Sequence, residues 1–420
     1  MTILKSERRW PKERAPGMED PWEVVRRLAH LPDLVFLDSA LARQRAVSMI
    51  AARPGEIIEG RTDADWSRLQ AALDARAGSP GLAAGYVEYE GAFRFGLYSN
   101  VLTYAHDDGT WADTGDLRAA MLGEPADLDE SPIAFESEMP AAQYEAIVRR
   151  AQQYIAAGDI YQVNLARRFS APWSGTPAQA LGFYGRLRAS SPAPYAALLC
   201  TPSRCIASSS PELFLEMRGR EVITRPIKGT RARGADPAAD AAAARELQDS
   251  PKERAELVMI TDLERNDLGQ ICEYGTVEAR ELLKLETFPQ VHHLVSTVAG
   301  RLRGQIGHAD ALRACFPGGS ITGAPKKRAR EIIAELEPAA RGVYTGAIGC
   351  FGFGGHSLFN IAIRTVVLEQ SVERGAAAAH FHTGAGIVAD SIARREWEET
   401  MWKAAGILRA AHGPRQSGST

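Results

Sequence analysis

The segment Arg225-Pro226-Ile227-Lys228-Gly229-Thr230 sets one lysine between an isoleucine and a glycine, two residues after a proline that restricts the backbone. Arg225, Arg231 and Arg233 add positive charge around it. An unperturbed lysine is a free amine in roughly one molecule in a few thousand at pH 7. Cationic neighbours and burial both lower a lysine's pKa, and a lysine so lowered can act as a nucleophile. The same residues also fit a plain basic loop or a clamp for an anion.

Two helices expected over 252–263 and 393–408 carry paired carboxylates. Glu253 and Glu256 are three apart, as are Glu396 and Glu399, so each pair shares a helix face. Lys403 lies four residues beyond Glu399, and Trp397, Met401, Ala404 and Leu408 form the apolar stripe of the second helix. One such pair is usually a solvated face. Two pairs on converging helices suit Mg²⁺, which needs one or two carboxylates plus water and an anionic substrate. Glu264 and Asp267, further along the first helix, read as capping or ion-pair groups.

Other segments could hold an anion. Pro317-Gly318-Gly319-Ser320-Ile321-Thr322-Gly323-Ala324-Pro325-Lys326 opens onto a helix expected over 327–336, and backbone amides at such a place can cradle an anion. Thr383-Gly384-Ala385-Gly386-Ile387-Val388-Ala389 is a second small-residue loop by its composition; a tight turn fits both equally well. Arg364 sits in an apolar strand pattern over 360–367, where an arginine is either paired or binds an anion. His292 and His293 adjoin Phe288-Pro289. In the strand that follows a helix over 140–157, alternation puts Gln162 and Asn164 on one face and Val163 and Leu165 on the other.

The elements that position these residues are those of an ordinary globular chain. The sequence has 420 residues, 45% of them hydrophobic, enough for one large core or two domains. A net charge of −3 offers no basic field for nucleic acid. No apolar run is long enough to span a bilayer, and residues 1–14 lack a signal core. The five cysteines are scattered, without a CxxC pair or a Cys/His cluster, which argues against zinc and a disulfide frame. A cytoplasmic protein is expected. Residues 1–20 read as a loose arm, strands are expected over 85–89 and 94–104, and residues 107–132 read as a polar connection. Strands follow one another directly, which favours antiparallel sheets with helices packed outside.

In this arrangement the chain resembles the chorismate-utilising enzymes. The residues that carry the resemblance are 158–165, Ser209-Ser210-Pro211-Glu212, 225–230, Asp262-Leu263-Glu264-Arg265-Asn266-Asp267, 291–296, 318–326 and 384–391. They run in order through 137–410, which the resemblance identifies as the chorismate-binding catalytic region. Residues 21–130 match weakly, and 411–420 form a tail. The resemblance implies an α/β (α+β) fold, a large sandwich of two stacked, mainly antiparallel β-sheets flanked by helices. It implies Glu212 as general acid/base, and a Mg²⁺ shell of Glu253, Glu256, Glu396 and Glu399 with Glu256 and Glu399 as direct ligands. Arg364, Tyr344 and the amides of Gly384 and Gly386 would hold the enolpyruvyl carboxylate, while His293, Thr322 and Lys403 would line the ring.

Two positions choose among the family's reactions. Members that make anthranilate carry alanine where Lys228 stands. Lysine there is similar to the branch that forms 4-amino-4-deoxychorismate, a precursor of p-aminobenzoate and folate, through a lysine-bound intermediate. Members that use water as nucleophile carry lysine where Gln162 stands. The resemblance thus implies amination of chorismate, with anthranilate synthase component I as the alternative. No glutaminase motif is found, so ammonia is expected from a partner glutamine amidotransferase. The family also has a tryptophan effector pocket, for which Asp38, Ser39, Arg45, Pro194, Tyr195 and Ala196 occupy comparable places.

Overall fold

The computed structural model describes residues 8–10, 20–41, 46–288, 291–370 and 377–413. Their strands pair antiparallel into one sheet of 12 strands and another of 10. Both sheets take strands from early and late in the chain. The larger joins Leu34–Asp38, Val47–Ala51 and Val101–Ala105 to Gln162–Pro172, Tyr195–Cys200, Arg204–Ser210, Thr365–Glu369 and Ala378–Ile387. The smaller joins Glu56–Gly60, Leu82–Val87 and Phe93–Tyr98 to Leu213–Arg218, Glu221–Arg225, Ile227–Ala232, Val291–Arg301, Ala347–Gly352 and His356–Ile361. The stacked, antiparallel arrangement expected from the sequence is the one observed.

Alternating burial builds three large apolar clusters. Val35, Leu37, Met49 and Ala51 of the larger sheet meet Leu82, Ala84, Ile348 and Cys350 of the smaller. Outside the smaller sheet, Phe95, Phe351 and Phe359 pack with Trp66 and Leu69 of helix Asp63–Asp74. Their ring centroids are 4.7–6.0 Å apart. Burying each phenylalanine is worth about 1.5–3 kcal/mol. Outside the larger sheet, Phe36, Leu198 and Phe381 pack under Trp22, Phe183, Tyr184, Ala404 and Ile407 from three helices.

The expected strand over 360–367 is broken. His356–Ile361 belongs to the smaller sheet and Thr365–Glu369 to the larger, with Arg364 between them at φ 50°. A second chain pass crosses in the same way, from Arg204–Ser210 to Leu213–Arg218, with Glu212 at the step. The two crossings are stitched together. Ser209 N donates to Arg364 O at 3.0 Å, Ile361 N to Glu212 O at 3.1 Å, and Ser210 Oγ to Ile361 O at 2.5 Å. Two further expectations are corrected. The stretch 94–104 is two strands, Phe93–Tyr98 and Val101–Ala105, in different sheets. Within 107–132, Thr110–Asp113 forms a strand paired with Val101–Ala105, where Trp111 is buried against Tyr104.

Candidate active site

Lys228 lies on a strand, Ile227–Ala232, at the edge of the smaller sheet, and not in a loop. The pairing with Val291–Arg301 slips between Lys228 and Thr230. Gly229, at φ 71°, makes that slip; a Cβ there would sit 2.6 Å from Leu247 Cδ1 and 3.0 Å from Glu253 Oε2. The arginines do not crowd the lysine as free cations. Arg225 pairs with Glu286, Arg231 with Glu246 at 2.9 Å, and Arg233 with Asp240 at 2.7 Å. The charges that act on Lys228 are instead carboxylates, those of Glu212, Glu256 and Glu399. Its Nζ also donates to Ser320 O at 3.4 Å.

Glu212 is buried at the crossing beside this strand, and burial pushes its carboxyl above the usual carboxylate range. The Ser320 hydroxyl and the Ile227 amide hydrogen-bond to it, and the Lys228 charge favours its ionised form, without cancelling the effect of burial. A carboxyl that holds its proton more tightly than usual, next to an amine, is the arrangement proton transfer to a leaving oxygen requires.

Helices Pro251–Gly269 and Ala393–Ala411 bring the four glutamates into one electrostatic group. Burial raises Glu256, with further repulsion from Glu253 and Glu399. Burial also raises Glu396, whose Oε1 accepts from Ser391 Oγ at 2.8 Å. Burial would raise Glu399 too, but Lys403, 2.7 Å away, outweighs it and holds that carboxyl low. Among the described residues no three His, Cys, Asp or Glu side chains gather closely enough to enclose a metal. Magnesium does not need such an enclosure, since one or two carboxylates with water and substrate suffice. Hard oxygen donors that still repel one another, with Lys252 and Lys403 beside them, fit a divalent cation.

The Arg364 side chain is half-buried and has no hydrogen-bond or ion-pair partner among the described residues, and burial lowers its pKa. Gly384 and Gly386 sit within strand Ala378–Ile387, opposite Ala166 and Asn164, and not in the loop their composition suggested. Neither position has space for a side chain: a Cβ on Gly384 would lie 2.6 Å from Leu165 O, and one on Gly386 would lie 2.5 Å from Gln162 Nε2. Gln162 is fully buried, and both amide atoms lack a partner among the described residues. Burial pushes the Tyr344 hydroxyl well up, and its ring stacks on His382, with centroids 5.2 Å apart. Lys403 Nζ donates to Gly384 O at 2.9 Å. His293 Nδ1 contacts Thr230 Oγ1 at 2.9 Å, while Thr322 Oγ1 donates to Gly318 O at 3.0 Å and so braces its own loop.

The expected anion cradle at 318–326 is occupied by the protein itself. Gly319 N donates to Glu264 Oε1 at 3.1 Å, and Lys326 Nζ pairs with Asp267 at 2.5 Å. Asp267 is thus the ion-pair group expected, but Glu264 is a buried acceptor. Ser320 and His382 escaped sequence reasoning. Ser320 had only its glycine neighbours as a signal; for His382, the clue was a histidine in phase with Gly384 and Gly386 along a strand.

At the expected effector place, Arg45 lies outside the described residues. Ser39 Oγ donates to Val47 O at 2.9 Å, and Ala196 is the strand partner of Asp38. Asn360 Nδ2 donates to Tyr195 O at 2.8 Å, and Pro194 lies just before that strand.

A family model described as "chorismate binding enzyme" matches residues 37–409. This chain therefore belongs to the chorismate-binding enzyme family. Curated relatives divide between two names. An anthranilate synthase component 1 of Haloarcula marismortui is 44% identical over 298 residues, covering 70% of this chain and 59% of the relative. Aminodeoxychorismate synthase component 1 of Bacillus subtilis is 42% identical over 317 residues, covering 73% and 65%. The chain thus spans about three-fifths of the length of these relatives. Among solved structures, anthranilate synthase component I from Streptococcus pneumoniae has a TM-score of 0.74 and 29% identity, covering 87% of this chain and 93% of that one. The isochorismate synthase MenF from Escherichia coli, at 17% identity and a TM-score of 0.78, shares the fold; the match covers 97% and 94%. No helix among the described residues is long and apolar enough to cross a membrane.

Proposed function

We propose that this chain is an aminodeoxychorismate synthase component I, converting chorismate and ammonia to 4-amino-4-deoxychorismate. The observation that carries the reading is Lys228 itself, beside buried Glu212 and bonded to Ser320 O at 3.4 Å. Arg364 and the amides around Gly384 and Gly386 hold the enolpyruvyl carboxylate, with Tyr344 beside them. Gln162 meets the substrate through an amide that finds no partner among the described residues. Glu256 and Glu399, together with Glu253 and Glu396, would hold Mg²⁺, which when bound would supply a positive anchor for the ring carboxylate.

The free amine of Lys228 attacks the ring, forming a C–N bond. The 4-hydroxyl departs with its bonding electrons and takes a proton from Glu212, leaving as water. Ammonia then adds where the hydroxyl left, the lysine–carbon bond breaks with its electrons returning to the lysine amine, and the proton shed by the new ammonium returns to Glu212. His293, Thr322 and Lys403 line the ring and keep it in place. Ammonia comes from a glutamine amidotransferase, in keeping with relatives named as first components.

Anthranilate synthesis is the second reading, favoured by relatives of like identity that carry that name. One experiment separates the two. Protein incubated with chorismate, Mg²⁺ and ammonium yields 4-amino-4-deoxychorismate without fluorescent anthranilate, and wild type, but not Lys228→Ala, gains the mass of a ring adduct. Anthranilate as product, or full activity of Lys228→Ala, would overturn the proposal.

A further inference from the structure

The DLERND stretch on helix Pro251–Gly269 places a carboxyl where helices of this kind seldom keep one. Glu264 is 3% exposed and points away from solvent at the 3-10 turn Gly319–Ile321. Its Oε1 accepts from Gly319 N at 3.1 Å, and the Ser320 amide also bonds to the carboxyl. Around it stand Asp267 from the same helix, Lys326 from helix Lys326–Leu336, Glu212 from the crossing and Cys315 from helix His308–Cys315. Lys326 is already engaged by Asp267 at 2.5 Å and by Cys315 O at 3.1 Å. Glu264 therefore has no cation of its own among the described residues.

Ser320 uses its three polar groups in three directions. Its amide turns to Glu264. Its carbonyl accepts from Lys228 Nζ at 3.4 Å and from Asn164 Nδ2 at 3.1 Å. Its hydroxyl hydrogen-bonds to Glu212. The turn has no side-chain cap at its start, so the buried carboxyl is what fixes its amides. One residue thus spans the gap between the proposed nucleophile and the proposed acid, and one buried carboxyl sets where that residue stands.

We propose that Glu264 is a positioning residue, which through Ser320 fixes the placement of Lys228 relative to Glu212. The proposal rests on the roles given above to Lys228 and Glu212. Burial and the Asp267 charge push Glu264 up to about 8, so near neutrality it is chiefly a protonated acceptor that adds no negative charge beside Glu212. Above that point it ionises, and the proposed acid gains a like-charged neighbour.

The test compares Glu264→Ala with Glu264→Gln in the full-length protein. Loss of the acceptor lowers kcat for chorismate consumption about 10–100-fold with KM nearly unchanged, the scale expected when catalytic groups are displaced by about an ångström. Glu264→Gln, which keeps a neutral acceptor, recovers most of that loss. Wild type loses kcat as pH rises through about 8, while the Gln variant does not. Full kcat in Glu264→Ala, or an unaltered pH profile in Glu264→Gln, would overturn the proposal. If wild type proves inactive on chorismate, the functional reading fails on its own. Glu264 is then still tested by labelling with an amine-selective acylating reagent and peptide mass mapping. The labelling rate at Lys228 changes severalfold in Glu264→Ala and returns toward wild type in Glu264→Gln; equal rates in all three would sink the idea. Should the Ala variant not fold, the Gln variant's pH profile and labelling rate decide alone.

Discussion

Two buried polar clusters stand in contrast. Around Asp38 every group is answered. Its carboxylate accepts from Arg188 Nε at 2.7 Å, Tyr184 OH at 3.0 Å and Ser48 Oγ at 3.4 Å, and Ser48 in turn meets His106 Nε2 at 2.8 Å. Around Lys228 the groups are left open. Gln162 keeps a bare amide, both ring nitrogens of His382 lack partners, Arg364 has no counter-ion among the described residues, and the glutamates repel one another. Unsatisfied buried polar groups cost stability. A cluster that answers itself serves the fold, whereas one left open is kept for something that arrives later.

Substitutions can break or sharpen that contrast. The largest effect is expected from Lys228→Ala, which should lower turnover by about 10³-fold or more, as losses of a nucleophile do, while the melting temperature stays near wild type. Asp38→Ala should do the reverse. Stranding Arg188 beside a vacated, buried position should cost about 3 kcal/mol or more in denaturant unfolding, with kcat of the folded fraction unchanged. Equal damage to activity would merge the two clusters into one. Gln162→Leu should stabilise the protein by about 1–3 kcal/mol by removing an orphaned amide, and raise KM for chorismate. A destabilised Leu variant would mean that the amide is answered after all. The smallest effect concerns pH. Glu264 has a folded value of about 8 against an ordinary 4.5, so folding favours its protonated form. That contribution is complete below about pH 4.5 and is lost as pH rises to about 8. The unfolding free energy of wild type, relative to Glu264→Gln, should therefore fall as pH rises through that window.

Much of this could be read before the structure. Helical spacing located the paired glutamates, and the observed helices extend only a few residues beyond the expected spans. Direct strand succession called for antiparallel sheets. What escaped was set by partners distant in sequence. The arginines near Lys228 read as a cationic crowd because Glu246 and Asp240, which neutralise two of them, belong to a following helix, and Glu286 to a later strand. Arg364 looked like a strand residue because the apolar pattern runs on unbroken while the backbone changes sheets. Glu264 read as a capping or ion-pair group because nothing local reports that the turn Gly319–Ile321 folds over it.

The paired crossings at Glu212 and Arg364 have a mechanical meaning. Two flat layers stacked face to face can slide and rock against each other, and groups carried on separate layers would drift apart with that motion. Glu212 and Arg364 ride instead on neighbouring rungs of one shared stair, tied by the Ser209–Arg364 and Ile361–Glu212 hydrogen bonds. When the layers breathe, the two move as a unit. The distance between the acid and the cation is thereby set by the crossings themselves and not by how one sheet lies on the other.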